Sequence, residues 1–234
     1  MIPELLARES PAAAIPLRAT AARARRQLER SLNLRVTTRR EDGVLLASID
    51  VVNLAGHKLP TGFPSRRLWL HVVLTDARKQ TLFDSGAWDP STGELLAGGE
   101  FQPHHRVIDK PGQVQVFETE ALDSKGRPTL SLLNAASHRK DNRILPAGFD
   151  SQRLAAAGLE GLDIRPSGLE GDGGFRSGSA QTLSRIPMPS AGSGHLLKVE
   201  VLFQTIKPSH RPASFRLAED LSHPVVVARF ETAL

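Results

Sequence analysis

Hydrophobic positions recur along this chain with two different periods. Between Ala13 and Leu34 the residues are mostly Ala, Arg, Leu, Gln and Glu, and Leu17, Ala21, Ala24, Leu28 and Leu32 fall at helical spacing, which predicts one amphipathic helix. The period then drops to two. "LNLRVTT" alternates, "EDG" (Glu41 to Gly43) is a hairpin turn signal, and Leu45, Ala47, Ile49 and Val51 alternate again. Leu68, Leu70, Val72 and Leu74 share one face of a third strand, "DARKQ" turns, and "TLFDSG" begins a fourth. Further on, "GQVQVFETEAL" reads as a single strand followed by the turn "DSKGRP", "HLLKVEVLFQTI" alternates through Leu197, Val199, Val201 and Phe203, and "HPVVVARFETAL" closes with a strand. "PASFRLAEDL", just before it, has the composition of a short helix.

Many short strands between turns, with helices only at the ends, predict a mainly β fold. The expected architecture is an antiparallel β-sandwich, Ig-like or jelly-roll-like, with an N-terminal helix and a short C-terminal helix. The expected division is a tail and connector helix over residues 1–33 and a sandwich over 34–234. Gly, Ser, Pro and polar residues predict long loops at about 84–112 and 141–194.

Composition narrows the function. The chain has 234 residues, 40% hydrophobic and 24% charged, enough for one substantial core. Its net charge of +5 is spread over scattered arginines, with one cluster from Arg23 to Arg30, and aromatics are 5% with no tyrosine, so nucleic acid is not an expected partner. There is no cysteine, which excludes disulfides, thiolate metal sites and Cys-x-x-Cys-His haem attachment in this chain. No run approaches the roughly 20 apolar residues of a membrane span, and the first residues lack a signal-peptide pattern. Gly-x-Ser-x-Gly, phosphate-loop and dinucleotide motifs are all missing, so no catalytic set is assigned.

The densest loop is "VVNLAGHKLPTGFPSRRLWLHV", Val51 to Val72, where His57 stands among two glycines and two prolines between strand-like runs. An imidazole there can reach a metal through one ring nitrogen, or it can serve as a turn residue bonded to backbone. Arg66 and Arg67 open the next strand, and alternation points them to opposite faces, so at most one turns toward His57. His104 and His105, being adjacent, diverge in the same way. A transition-metal site drawn from His57, His104 or His105, and His138 is a candidate, although none of these pairs has the i, i+4 spacing of familiar zinc motifs. Asp84, Asp89 and Glu94 do not fit an EF-hand, and they and Asp163 and Asp172 read as turn acids.

Several segments in one order carry a resemblance: "NLAGHKLPTGFPSRRLWLHVVLTD", "FQPHHRVIDKPGQVQVFETEAL", "SLLNAASHRKDNRILPAGFD", "LFQTIKPS" and "HPVVVARFE". Together they resemble the C-terminal, non-haem β-domain of bacterial multihaem c-type cytochromes, over roughly residues 20–234. The most specific element is Gly-His-x-Leu-Pro-Thr-Gly followed by Arg-Arg, and "KDNRILPAGF" is next. The resemblance implies a haem-free module of a periplasmic or extracellular electron-transfer system, serving packing, partner docking or haem environment. It implies that haem is supplied by an upstream domain or a partner multihaem subunit, and that the chain as written is N-terminally truncated or a separate subunit. His57, Lys58, Pro60, Thr61, Arg66 and Arg67 become the expected haem- or partner-contact set, with His57 a candidate axial ligand. Two other classes stay open: a histidine-ligated copper or iron redox enzyme, and a carbohydrate or cell-surface binding module.

Overall fold

The computed structural model describes residues 14–97, 102–158, 168–169, 172–188, 194–210 and 221–234. Helix α1 (Ala14–Glu29) ends earlier than its composition predicts, because Leu32 and Leu34 belong to the first strand. Ser31 makes the break: its Oγ donates to the Leu28 carbonyl at 2.6 Å, and its own carbonyl accepts from the Leu54 N–H at 2.9 Å. Pairing along a whole strand outweighs the helix propensity of a few residues. Ala21 is buried on α1, and Leu28 packs against the core.

Strands β1 (Leu32–Glu41) and β2 (Val44–Asn53) form the predicted hairpin, in register from Leu32↔Asn53 to Glu41↔Val44. Its two-residue turn places Asp42 at φ 45° and Gly43 at φ 77°, the left-handed pair that matches the twist of the flanking strands. Leu45, Ala47, Ile49 and Val51 all turn inward and are fully buried.

The remaining strands are β3 (Arg67–Thr75), β4 (Thr81–Ser85), β5 (Val107–Ile108), β6 (Val116–Phe117), β7 (Thr119–Leu122), β8 (Ser137–Asp141), β9 (Phe175–Arg176), β10 (Ser179–Pro187), β11 (Leu196–Gln204) and β12 (Val225–Ala233). One five-stranded sheet runs β1-β2-β10-β5, with β9 also on β10, and the other runs β12-β11-β3-β4, with β6 also on β3. β7 and β8 make a small sheet of their own. Pairings are antiparallel except β10 with β5. Leu68, Leu70, Val72 and Leu74 of β3 meet Val199 and Val201 of β11 and the β2 residues in one core, so the molecule is the expected β-sandwich.

Two expectations are corrected. The stretch 141–194 is not all loop, since it holds the nine-residue β10, a full partner of β2, and a short helix α2 (Ser151–Ala156). "GQVQVFETEAL" is not one strand: it breaks at the buried Glu118, giving β6 to the second sheet and β7 to the small one. The predicted C-terminal helix in "PASFRLAEDL" lies, apart from its last residue, outside the described residues.

β3 is buried on both faces. On its outer side Trp69 joins Leu95, Val114, Val116 and Leu202 in a second apolar cluster and donates from Nε1 to the Gly86 carbonyl at 3.0 Å. Gly86 has φ 93°, and a Cβ there would stand 2.2 Å from the Leu70 carbonyl oxygen. Gly86→Ala is therefore expected to destabilise the fold by about 2 kcal/mol, combining backbone strain with displacement of the Trp69 contact. A urea-unfolding midpoint equal to that of the parent protein would contradict this.

Candidate functional site

The 54–66 loop leaves β2 and is fastened from behind to residues 141–144, so the two most specific segments of the sequence meet in space. Asn53, the last residue of β2, is 2% exposed and its amide works as a clasp. Its Nδ2 donates to the carbonyls of His57 at 2.8 Å and Ile144 at 2.9 Å, while Oδ1 accepts from the Ala55 N–H at 2.8 Å. Leu59 and Ile144 exchange backbone hydrogen bonds at 2.9 and 2.8 Å. Pro60, after a cis Leu59-Pro60 bond, and Pro64 are buried.

An ion-pair knot completes the fastening. Asp141, its side chain fully buried, accepts from Lys58 Nζ at 2.7 Å and from the Arg143 fork at 2.7 and 2.8 Å. Burial by itself raises the Asp141 pKa, but the bonds and charges of Arg143 and Lys58 outweigh it and hold the carboxyl below its ordinary value.

His57 stands on the outer side of this loop and is exposed. Its Nδ1 lies 2.8 Å from the Lys58 carbonyl oxygen. That oxygen can only accept, so Nδ1–H donates to it; in the neutral ring the lone pair then falls on Nε2, which has no partner among the described residues. Backbone orientation of one imidazole nitrogen is the arrangement that readies the other for a metal or a donor group. Arg66 closes the loop on itself, donating to Thr61 Oγ1 and lying 5.4 Å over the Phe63 ring.

Arg67 takes the opposite face. It is 1% exposed, donates from Nε to Gln204 Oε1 at 2.6 Å, and stacks 5.3 Å from the Trp69 ring, so it does not belong to the expected contact surface. Pro60 is likewise buried, and the side chain of Lys58 is spent on Asp141. Of the six expected contact residues, His57, Thr61 and Arg66 reach solvent with the least obstruction.

The four candidate metal histidines are not gathered. Among the described residues no group of three or more His, Cys, Asp or Glu side chains is placed to hold a metal ion. His104 is buried in a polar network: its Nε2–H donates to Asp172 Oδ2 at 2.6 Å, and Nδ1 accepts from Gln115 at 2.9 Å and Asn142 at 3.0 Å. His105 is half-buried, and burial, then His104 and Lys140, lower its pKa. His138 lies on β8 opposite Ala121.

Sequence reasoning missed the charged centre beneath the loop. Glu118, fully buried, accepts from Lys140 Nζ at 2.8 Å and Lys207 Nζ at 2.9 Å. Burial pushes its pKa up, yet the two ammonium groups prevail and bring it down to about 2. The available signal was a glutamate directly after "VQVF", within the span that otherwise reads as one strand.

Beside the His57 loop runs an open groove of about 710 Å³, walled by Leu54, Ala55 and Gly56 on one side and Pro146, Phe149 and Leu154 on the other. No helix among the described residues is long and apolar enough to cross a membrane.

No protein-family model matches the chain, and no curated protein matches it. Among solved structures it is similar to a penta-heme cytochrome c552 from Thermochromatium tepidum, at 20% identity and a TM-score of 0.55, over 90% of this chain and 41% of the cytochrome. The likeness is one of fold, and the chain spans about two fifths of that cytochrome's length.

Proposed function

We propose that this chain is a haem-free β-sandwich module of a multihaem c-type cytochrome electron-transfer system, working in an exported compartment by docking a haem-bearing partner and shaping its haem environment. The observation that carries the reading is a pairing of two facts. Nine-tenths of the chain shares its fold with part of a penta-heme cytochrome, yet the chain has no cysteine with which to attach haem covalently. A module of that fold without its own haem serves haems held elsewhere, in an adjoining stretch of polypeptide or in a separate subunit.

The contact residue is His57. Its imidazole is fixed by the Lys58 carbonyl and its loop by Asn53 and Asp141, so Nε2 is presented at low entropic cost to an iron or to a donor on the partner. Arg66 and Thr61 flank it.

The test captures the native protein under mild conditions from cells carrying either the parent gene or His57→Ala, and assays the retained c-type haem by its pyridine haemochrome. The parent protein is expected to retain stoichiometric haem. His57→Ala is expected to retain about tenfold less, or to hold cytochrome with a shifted reduction potential. A parent protein that retains no c-type haem contradicts the proposal.

A further inference from the structure

Among the described residues nothing fills the groove beside the His57 loop. Leu54, on its wall, is 60% exposed. Gly56 opens the same wall: its φ is not positive, and a Cβ placed on it would meet nothing within 4 Å, so neither backbone conformation nor packing among the described residues requires glycine there. A missing side chain with no internal reason leaves room for something approaching from outside. Across the groove, Asp150 spends its Oδ1 on the N–H groups of Gln152 at 2.9 Å and Arg153 at 3.1 Å, at the start of α2. The Arg153 guanidinium is exposed and makes no ion pair among the described residues.

The lining, apolar walls with Arg153 and the Asp150 carboxylate at one side, suits an occupant that has an apolar edge and an anionic group that can reach the guanidinium. A volume of about 710 Å³ falls in the range of small-molecule and cofactor sites, roughly 300–1,000 Å³, and its walls are mostly apolar. His57 follows Gly56 in the chain; it is exposed and lies outside the groove's lining, and its Nε2 has no partner among the described residues.

Resting on the function proposed above, we infer that this groove seats the edge of the partner's haem. Bound there, the macrocycle would rest on Leu54, Gly56 and Phe149 and a propionate would pair with Arg153, while His57, exposed on the same loop, would offer Nε2 as a nitrogen donor. A guanidinium is suited to the propionate because its planar fork matches a carboxylate. Gly56 supplies the close approach.

The experiment titrates the full chain with ferric protoporphyrin IX and follows the Soret band, with Gly56→Leu, Arg153→Glu and His57→Ala as groove variants. Arg40→Glu, at the hairpin turn and so at the other end of β2, is the control. Saturable one-to-one binding is expected in the parent and in Arg40→Glu. Gly56→Leu and Arg153→Glu are each expected to weaken it about tenfold, and His57→Ala to abolish any nitrogen-ligated Soret shift. Gly56→Leu should keep the parent's melting temperature, since a Cβ there meets nothing within 4 Å among the described residues and the position is exposed. No saturable binding by the parent, or binding indifferent to Gly56→Leu and Arg153→Glu, overturns the inference. The haem-capture test separates the two failures. Native Gly56→Leu protein that still captures its cytochrome normally refutes the groove and leaves the module reading intact, whereas a parent that captures no haem refutes the module reading.

Discussion

Glu118→Ala is expected to lower the unfolding free energy by about 3–5 kcal/mol, the usual consequence of removing one partner from a buried ion pair. The carboxylate is fully buried and is held at 2.8 Å by Lys140 and at 2.9 Å by Lys207, from two different parts of the chain. Without it, two ammonium groups lose their shared counter-charge in the interior. Lys140 keeps a bond to the Gln102 carbonyl at 2.6 Å, which softens the loss without replacing the charge. Equilibrium urea unfolding measures the effect, and a change below about 1 kcal/mol would contradict it.

The same group sets an acid limb. Its pKa is about 2 in the fold, against 4.5 for an ordinary glutamate, so the unfolded chain binds the proton more readily. The stability Glu118 contributes is fully present above about 4.5 and is lost as pH falls toward 2. Asp141 acts in the same direction, being lowered by Arg143 and Lys58 against the effect of burial. Glu120 opposes them, because burial and then Glu118 raise its pKa. Glu118→Gln is expected to flatten the fall in stability across this acid window.

Asp141→Ala is expected to have the second-largest effect, a loss of about 3 kcal/mol together with release of the His57 loop. It removes the anion between Lys58 and Arg143, whose side chains are 11% and 4% exposed. Asn53 and the Leu59–Ile144 backbone bonds then hold the loop without the knot. Hydrogen exchange at the Leu59 and Ile144 amides should accelerate, and retained haem should fall as it does for His57→Ala. Exchange that stays at the parent rate would show that the clasp alone fixes the loop.

How legible these features were depended on which side chains turn inward. The β1–β2 hairpin and the inner face of β3 were readable because every core position there is apolar and alternates strictly. β10 was not, since its inward positions are Ala180, Thr182, Ser184 and Ile186, and two hydroxyls interrupt the pattern. Thr182 Oγ1 and Ser184 Oγ are buried with no hydrogen-bond partner among the described residues, an uncommon use of polar side chains that alternation does not anticipate. The break at Glu118 was hidden for a related reason. A buried carboxylate looks like an ordinary outward strand position until its cations, 22 and 89 residues away, are seen.

The candidate site divides in the same way. Its loop stood out locally through Gly56, His57, Pro60 and Pro64, and alternation separated Arg66 from Arg67. Its support did not, because Lys58 meets Asp141 across 83 residues and Asn53 meets Ile144 across 91. The dispersal of His57, His104, His105 and His138 is likewise a tertiary property: Asp172, Gln115 and Asn142 occupy His104 from three directions.

The most direct test of the module reading is the intact mass and haem stain of the native protein, captured from its source with an antibody to this domain. The account predicts either a larger, haem-positive polypeptide containing this sequence or a 25.4 kDa chain retained together with a c-type cytochrome. A haem-negative 25.4 kDa species with no cytochrome bound would contradict it.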